Sequence, residues 1–162
     1  MVMENSPDTV LVTEVARDVL SEVAPEEMPI FPAASRAYFA DPAAAVRQLG
    51  AKDNVLGFGI EALAVALTPA VLHILSEVFD FLTRVAAKAA EDELSKEIPQ
   101  LIKAMFKKYH SSAPDVPSVL TREQMGQIHA NVLLAAKKLR LPAEKAQSLA
   151  DAVTAQLVLA KE

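Results

Sequence analysis

The chain has 162 residues, 52% hydrophobic and 23% charged, with 10 Pro, 4 Gly, 6 Phe, 2 Tyr and neither Cys nor Trp. That length supports one domain, or a domain plus a helical appendage, with a real core, and the missing cysteines exclude disulfide scaffolds, thiolate zinc sites, iron–sulfur clusters and cysteine nucleophiles. The net charge of −5 is uneven, since residues 1–50 hold 8 acids and 3 bases, 51–95 hold 7 and 3, and 96–162 hold 6 and 10. So mild a basic excess at the C-terminal end predicts docking between the two oppositely charged regions, within a chain or between two, rather than a polybasic tail. Mean hydropathy of +0.23 and apolar mass that is mostly small and aliphatic predict an ordered helical chain. The start, MVMENSPD, has no cationic stretch of the kind that opens a secretory signal, so the expected location is the cytoplasm.

Proline punctuates the chain, because it lacks an N–H and fixes φ, and so marks helix starts and stops. A first helix is expected from about Asp8 to Ala24, with Leu11, Val12, Val15, Val19 and Val23 on one face. Residues 25–32, PEEMPIFP, read as a turn, followed by a short helix from Pro32 to about Ala40. Asp41 before Pro42 is a cap for another short helix that Gly50 closes. Asp53 or Asn54 caps the next segment, Val55 to about Glu93, within which Thr68-Pro69 either kinks one helix or begins a second. From Glu97 to Tyr109 one stripe carries Ile98, Leu101, Ile102, Met105, Phe106 and Tyr109, with Lys103, Lys107 and Lys108 off it.

Residues 110–120 are the best linker candidate. Thr121 with Gln124 fits a capping box for a helix carrying Met125, Ile128, Val132, Ala135 and Leu139. After Pro142 a last helix repeats that spacing with Ala146, Leu149, Val153, Leu157 and Ala160. Two matched stripes joined by Arg140-Leu141 predict an antiparallel hairpin. No segment alternates apolar and polar residues over a strand length. The expected fold is therefore all-α, a helical bundle with a long hydrophobic central helix and a C-terminal hairpin. Its divisions are a core over 1–109, a linker over 110–120 and the hairpin over 121–162.

The run from Ala62 to Ser76 has 15 residues without Asp, Glu, Lys or Arg. A membrane span needs about 20 apolar residues, and Glu61, Glu77 and Asp80 flank this shorter run, which favours a buried central helix. Ala62, Ala66 and Ala70 form a ridge that permits close helix approach. His73, Glu77 and Asp80 can share a face and are candidates for a metal or proton site. A carboxylate-bridged metal site normally recruits Glu-x-x-His motifs from several helices, and the sequence has none. The LGFG glycines, Gly57 and Gly59, match no phosphate-binding pattern, and Ser76, Ser95 and Ser111 lack a nucleophile-elbow context. Lys137, Lys138, Arg140 and Lys145 cluster near the hairpin turn, but Glu144 and Asp151 on the last helix speak for a solvated turn over nucleic-acid binding.

The segments AYFADP (37–42), LGFG (56–59), LTP (67–69) and LADAV (149–153) together resemble a group of small uncharacterised bacterial helical proteins. The resemblance implies a bacterial, non-catalytic protein and carries no activity to any residue. The expected function is protein–protein interaction or self-association as a homo-oligomer, without cofactor. Contact residues are expected at the alanine ridge and at Leu133, Leu134 and Leu141, which exceed what the hairpin stripe needs. The alternative is a membrane-inserting effector at the inner membrane, using helix 55–82 with amphipathic helix 97–109. A metal-binding or catalytic bundle comes third.

Overall fold

A computed structural model describes residues 7–50, 60–92, 97–110 and 118–160. The described residues form eight α-helices and one 3-10 helix, with no β-strand, so the protein is all-α. The Asp53 and Asn54 caps, Gly57, Gly59, Ser95 and most of the linker segment, including Ser111, lie outside the described residues. So do the side chains of Glu61, Ala62, Ala66 and His110.

Helix α1 spans Pro7–Val23 and buries Leu11, Val12, Val15, Ala16, Val19 and Leu20, a stripe at helical spacing. The expected turn after it is a 3-10 helix, Pro25–Ile30. Pro25 opens it, where an N–H would be unpaired anyway, and Pro29 lacks the donor that α-helical pairing with the Pro25 carbonyl would need. Helices α2 (Phe31–Ala40) and α3 (Pro42–Gly50) follow, and Asp41 Oδ1 accepts the Ala44 N–H at 3.2 Å.

Helix α4, Ile60–Asp92, runs continuously through Pro69, which answers the question left open by Thr68-Pro69. It packs against α1, α2, α3, α7, the 3-10 helix and α5 (Ile98–Ala104). Its buried residues include Ala70, Val71, Leu72, Ile74 and Leu75, nearly consecutive, as befits a helix covered on most sides. The expected long hydrophobic helix is long but not apolar throughout, because exposed Glu77, Asp80, Arg84, Lys88 and Glu91 interrupt its second half. Among the described residues no helix is long and apolar enough to cross a membrane.

The single helix expected over 97–109 is in fact two, α5 and α6 (Lys107–His110). The C-terminal segment causes the break. Helix α8 (Ala143–Ala155) ends before Leu157, which forms an isolated antiparallel bridge with Phe106. Lys107 N–H donates to Gln156 O at 2.8 Å and Val158 N–H to Met105 O at 2.7 Å. Beyond the bridge, Ser118 Oγ donates to Val158 O at 2.6 Å and Ala160 N–H to Leu120 O at 2.6 Å. These backbone groups pair with the returning chain in place of helical partners.

Helix α7 (Arg122–Lys138) begins with the expected capping box, since Thr121 Oγ1 accepts Gln124 N–H at 3.1 Å and Gln124 Oε1 accepts Thr121 N–H at 3.0 Å. Helix α8 runs back along it, with His129 Nε2 2.8 Å from Asp151 Oδ1. The turn between them is a Schellman motif in which Leu141 N–H donates to Ala136 O at 3.0 Å and Arg140 N–H to Lys137 O at 3.0 Å. Arg140 takes the left-handed conformation there, at φ 65°. One hydrophobic core joins all these parts, with Val19, Phe31, Leu72, Phe106, Ile128 and Leu149 among its buried members.

Candidate functional site

The cleft between α4 and α7 is the candidate site. Both helices turn their apolar stripes into the shared core, and the cleft opens where those stripes give way to polar residues. It has a volume of about 280 Å³. Ile74, Val78 and Ala135 supply its buried floor, and Phe81 and Leu134 its apolar walls. Glu77, Asp80, Arg84, Asn131 and Lys138 supply the polar lining.

Leu134 is 54% exposed. Val10 and Ile30 are the other large exposed apolar side chains among the described residues, and neither lines the cleft. The Arg84 guanidinium lies 5.8 Å from the centre of the Phe81 ring, a cation–π contact that keeps both side chains at the rim. His73 Nε2 lies 3.2 Å from Glu77 Oε2, one helical turn apart.

Of the residues set apart in sequence, Glu77, Asp80 and Leu134 meet in the cleft, and Ala70, His73, Leu133 and Leu141 are not among its lining. Ala70 is fully buried. Leu133 and Leu141 are partly buried against the core, Leu141 as the apolar residue that accompanies a Schellman turn. Leu134 alone of the three leucines faces the cleft. His73 and Glu77 pair on α4 with Asp80 nearby in sequence, and among the described residues no group of three or more His, Asp or Glu could hold a metal ion.

Other polar groups hold the fold together. Lys145 Nζ donates to Val23 O at 3.1 Å, tying α8 to the C-terminal end of α1, where a cation is favoured. Lys108 pairs with Asp18 at 3.3 Å and Glu14 at 3.8 Å, and the Tyr109 hydroxyl donates to Glu14. Burial, foremost, and the neighbouring carboxylates push the Tyr109 hydroxyl above its usual range. Asp151 is held below the ordinary carboxylate value by its hydrogen bonds, first to His129 and then to Gln147. Among the serines, Ser76 donates to Leu72 O at 2.9 Å and Ser118 to Val158 O.

Sequence reasoning missed Glu27, a carboxylate only 1% exposed on the 3-10 helix. Its Oε1 accepts the Thr68 N–H at 3.0 Å and also the Thr68 hydroxyl. The bonds fall beside Pro69, whose ring leaves a helical carbonyl without its donor and distorts the preceding turn. Desolvation dominates and raises the Glu27 carboxyl above the usual range, with Glu26 adding to it, while the Thr68 bonds and Lys145 pull the other way. Thr68-Pro69 was the available signal, but nothing in PEEMP distinguishes Glu27 from Glu26.

No protein-family model matches the chain, and no curated protein or solved structure proved similar to it.

Proposed function

We propose that this chain is a non-catalytic protein–protein interaction module of a bacterial protein system, built as a helical bundle and docking through the α4–α7 cleft. The observation that carries this reading is Leu134, exposed on the wall of an apolar-floored groove. Docking sites characteristically combine apolar anchors with a polar rim, and Phe81 and Leu134 between Asp80, Arg84, Asn131 and Lys138 have that composition.

The membrane-inserting alternative finds less support. Its amphipathic stripe over 97–109 is engaged elsewhere, because Leu101, Ile102, Met105 and Phe106 all lie in the core. Of its lysines, Lys108 is paired with α1.

The test is a photoreactive amino acid in place of Leu134, irradiated in producing cells, with Val10 as an equally exposed control outside the cleft. Defined protein adducts from position 134 and none from position 10 are expected. Equal labelling at both positions, or none at either, refutes the docking role of the cleft.

A further inference from the structure

We infer that Glu27 is a proton-operated latch on a hinge in α4: neutral, it holds the helix closed at Thr68-Pro69, and ionised, it lets go and frees the helix to open there. Pro69 has no N–H, so the Val65 carbonyl one turn back has no helical donor. The preceding N–H, of Thr68, donates to Glu27 Oε1 at 3.0 Å, and the Thr68 hydroxyl donates to the same oxygen. One rung of the helical ladder is therefore missing, and its neighbour is held by a side chain from another element. That is the chemistry of a helix start, with Pro at the first position and a carboxylate taking up a free N–H. Here it lies inside a helix of 33 residues. An opening at this point gives up fewer backbone hydrogen bonds than one in an unbroken stretch of the same helix.

The latch answers to protons because Glu27 is buried and, among the described residues, no cation is ion-paired with it. Lys145 of α8 acts on it from a distance, being bonded to Val23 O at 3.1 Å, and Glu26 beside it opposes ionisation. On α1, Lys108 engages Glu14 and Asp18, Arg17 lies over the Phe31 ring, and Glu22 is exposed. On α2 the charged residue is the exposed Arg36, and α4 meets Glu27 with the uncharged Thr68. Ionisation thus creates a buried charge whose cost is removed by opening. The neutral acid has no such cost, and its carbonyl oxygen still accepts from Thr68. Opening should therefore grow as pH rises from the ordinary carboxyl value, about 4.3, to the raised value of the closed site, and level off above it.

The test follows amide hydrogen exchange of the full chain by NMR from pH 4 to 8, each rate divided by that of an unstructured peptide at the same pH. In the wild type the protection of the Thr68 amide should fall by about tenfold or more across the range, as release of one proton allows. At pH 8 it should lie about tenfold or more below that of the Leu75 and Ile128 amides, which mark unfolding of the whole core. Glu27→Gln keeps an oxygen acceptor and cannot ionise, so its Thr68 protection should not change with pH. Pro69→Ala gives the Val65 carbonyl its donor back and should raise Thr68 protection at pH 8 to the level of Leu75. Equal protection of Thr68, Leu75 and Ile128 in the wild type overturns the hinge, because Thr68 then exchanges only when the whole molecule unfolds. Thr68 protection that Pro69→Ala leaves unchanged overturns it as well. A wild-type Thr68 amide indifferent to pH, or one that falls equally in Glu27→Gln, overturns the latch.

Discussion

Glu27 sits where a carboxylate is expensive to bury, and its hydrogen bonds to Thr68 offset only part of that cost. Because its folded-state affinity for a proton exceeds that of the unfolded chain, the folded state binds more protons between the two pKa values. This group therefore favours folding most in acid, and its contribution declines as pH rises from the unfolded carboxyl's value, about 4.3, through the raised folded one. Glu27→Gln carries no charge at any pH and should gain stability relative to wild type on going from pH 4.5 to 7.5. Urea midpoints at the two pH values measure this, and a constant difference would contradict it. Arg140 is the second residue under strain. A left-handed conformation costs a side-chain-bearing residue about 1–2 kcal/mol, against about 0.5–1 kcal/mol of extra chain entropy for glycine. Arg140→Gly should raise stability by about 0.5 kcal/mol, read as a higher denaturation midpoint.

At the scale of elements, local chemistry and long-range pairing decide different boundaries. Helix α7 begins where Thr121 and Gln124 exchange hydrogen bonds, an effect contained within four residues. Thr121→Ala should cost about 1 kcal/mol and fray the first turn, seen as faster amide exchange there. Proline boundaries are equally local, which is why the start of α3 at Pro42 is legible in the sequence. The break between α5 and α6 is different in kind. The apolar stripe continues across Met105 and Phe106, so periodicity alone predicts one helix. The helix stops because backbone groups of Met105 and Lys107 bond to Gln156 and Val158.

For the whole molecule, the returning C-terminal segment is a clasp across the core. Leu157 is 3% exposed and bridges Phe106, whose ring stacks on Phe79 with centroids 5.3 Å apart. Leu157→Ala should destabilise the fold by about 2–5 kcal/mol. The helical circular dichroism at low denaturant should stay unchanged, since Leu157 lies outside α8. A loss of helix instead would place Leu157 in the nucleation of α8 rather than in the clasp. The clasp also joins residues 118–120 to the end of the chain, so α7 and α8 share one core with α1 and α4.

The amino-acid order alone determines the all-α class, the proline-set boundaries, the capping box and the core stripes of α1 and α7. Each depends on neighbours within one or two turns, where backbone sterics and helical periodicity act. Leu157 and Ala160, expected on the stripe of the last helix, lie beyond the end of α8 at Ala155. Leu134 could be singled out as surplus to its helix stripe, but Leu133 and Leu141 looked the same, and only packing buries them. The other wall of the cleft, with Phe81 and Arg84, was not legible, because the period of α4 does not say which face its neighbours leave uncovered. Tertiary structure decided that face, the split between α5 and α6, and the burial of Glu27 against Thr68, 41 residues away. The physical reason is common to all three. A hydrogen bond or an apolar contact between distant residues leaves no periodic trace in sequence, and it forms only once the core has brought the helices together.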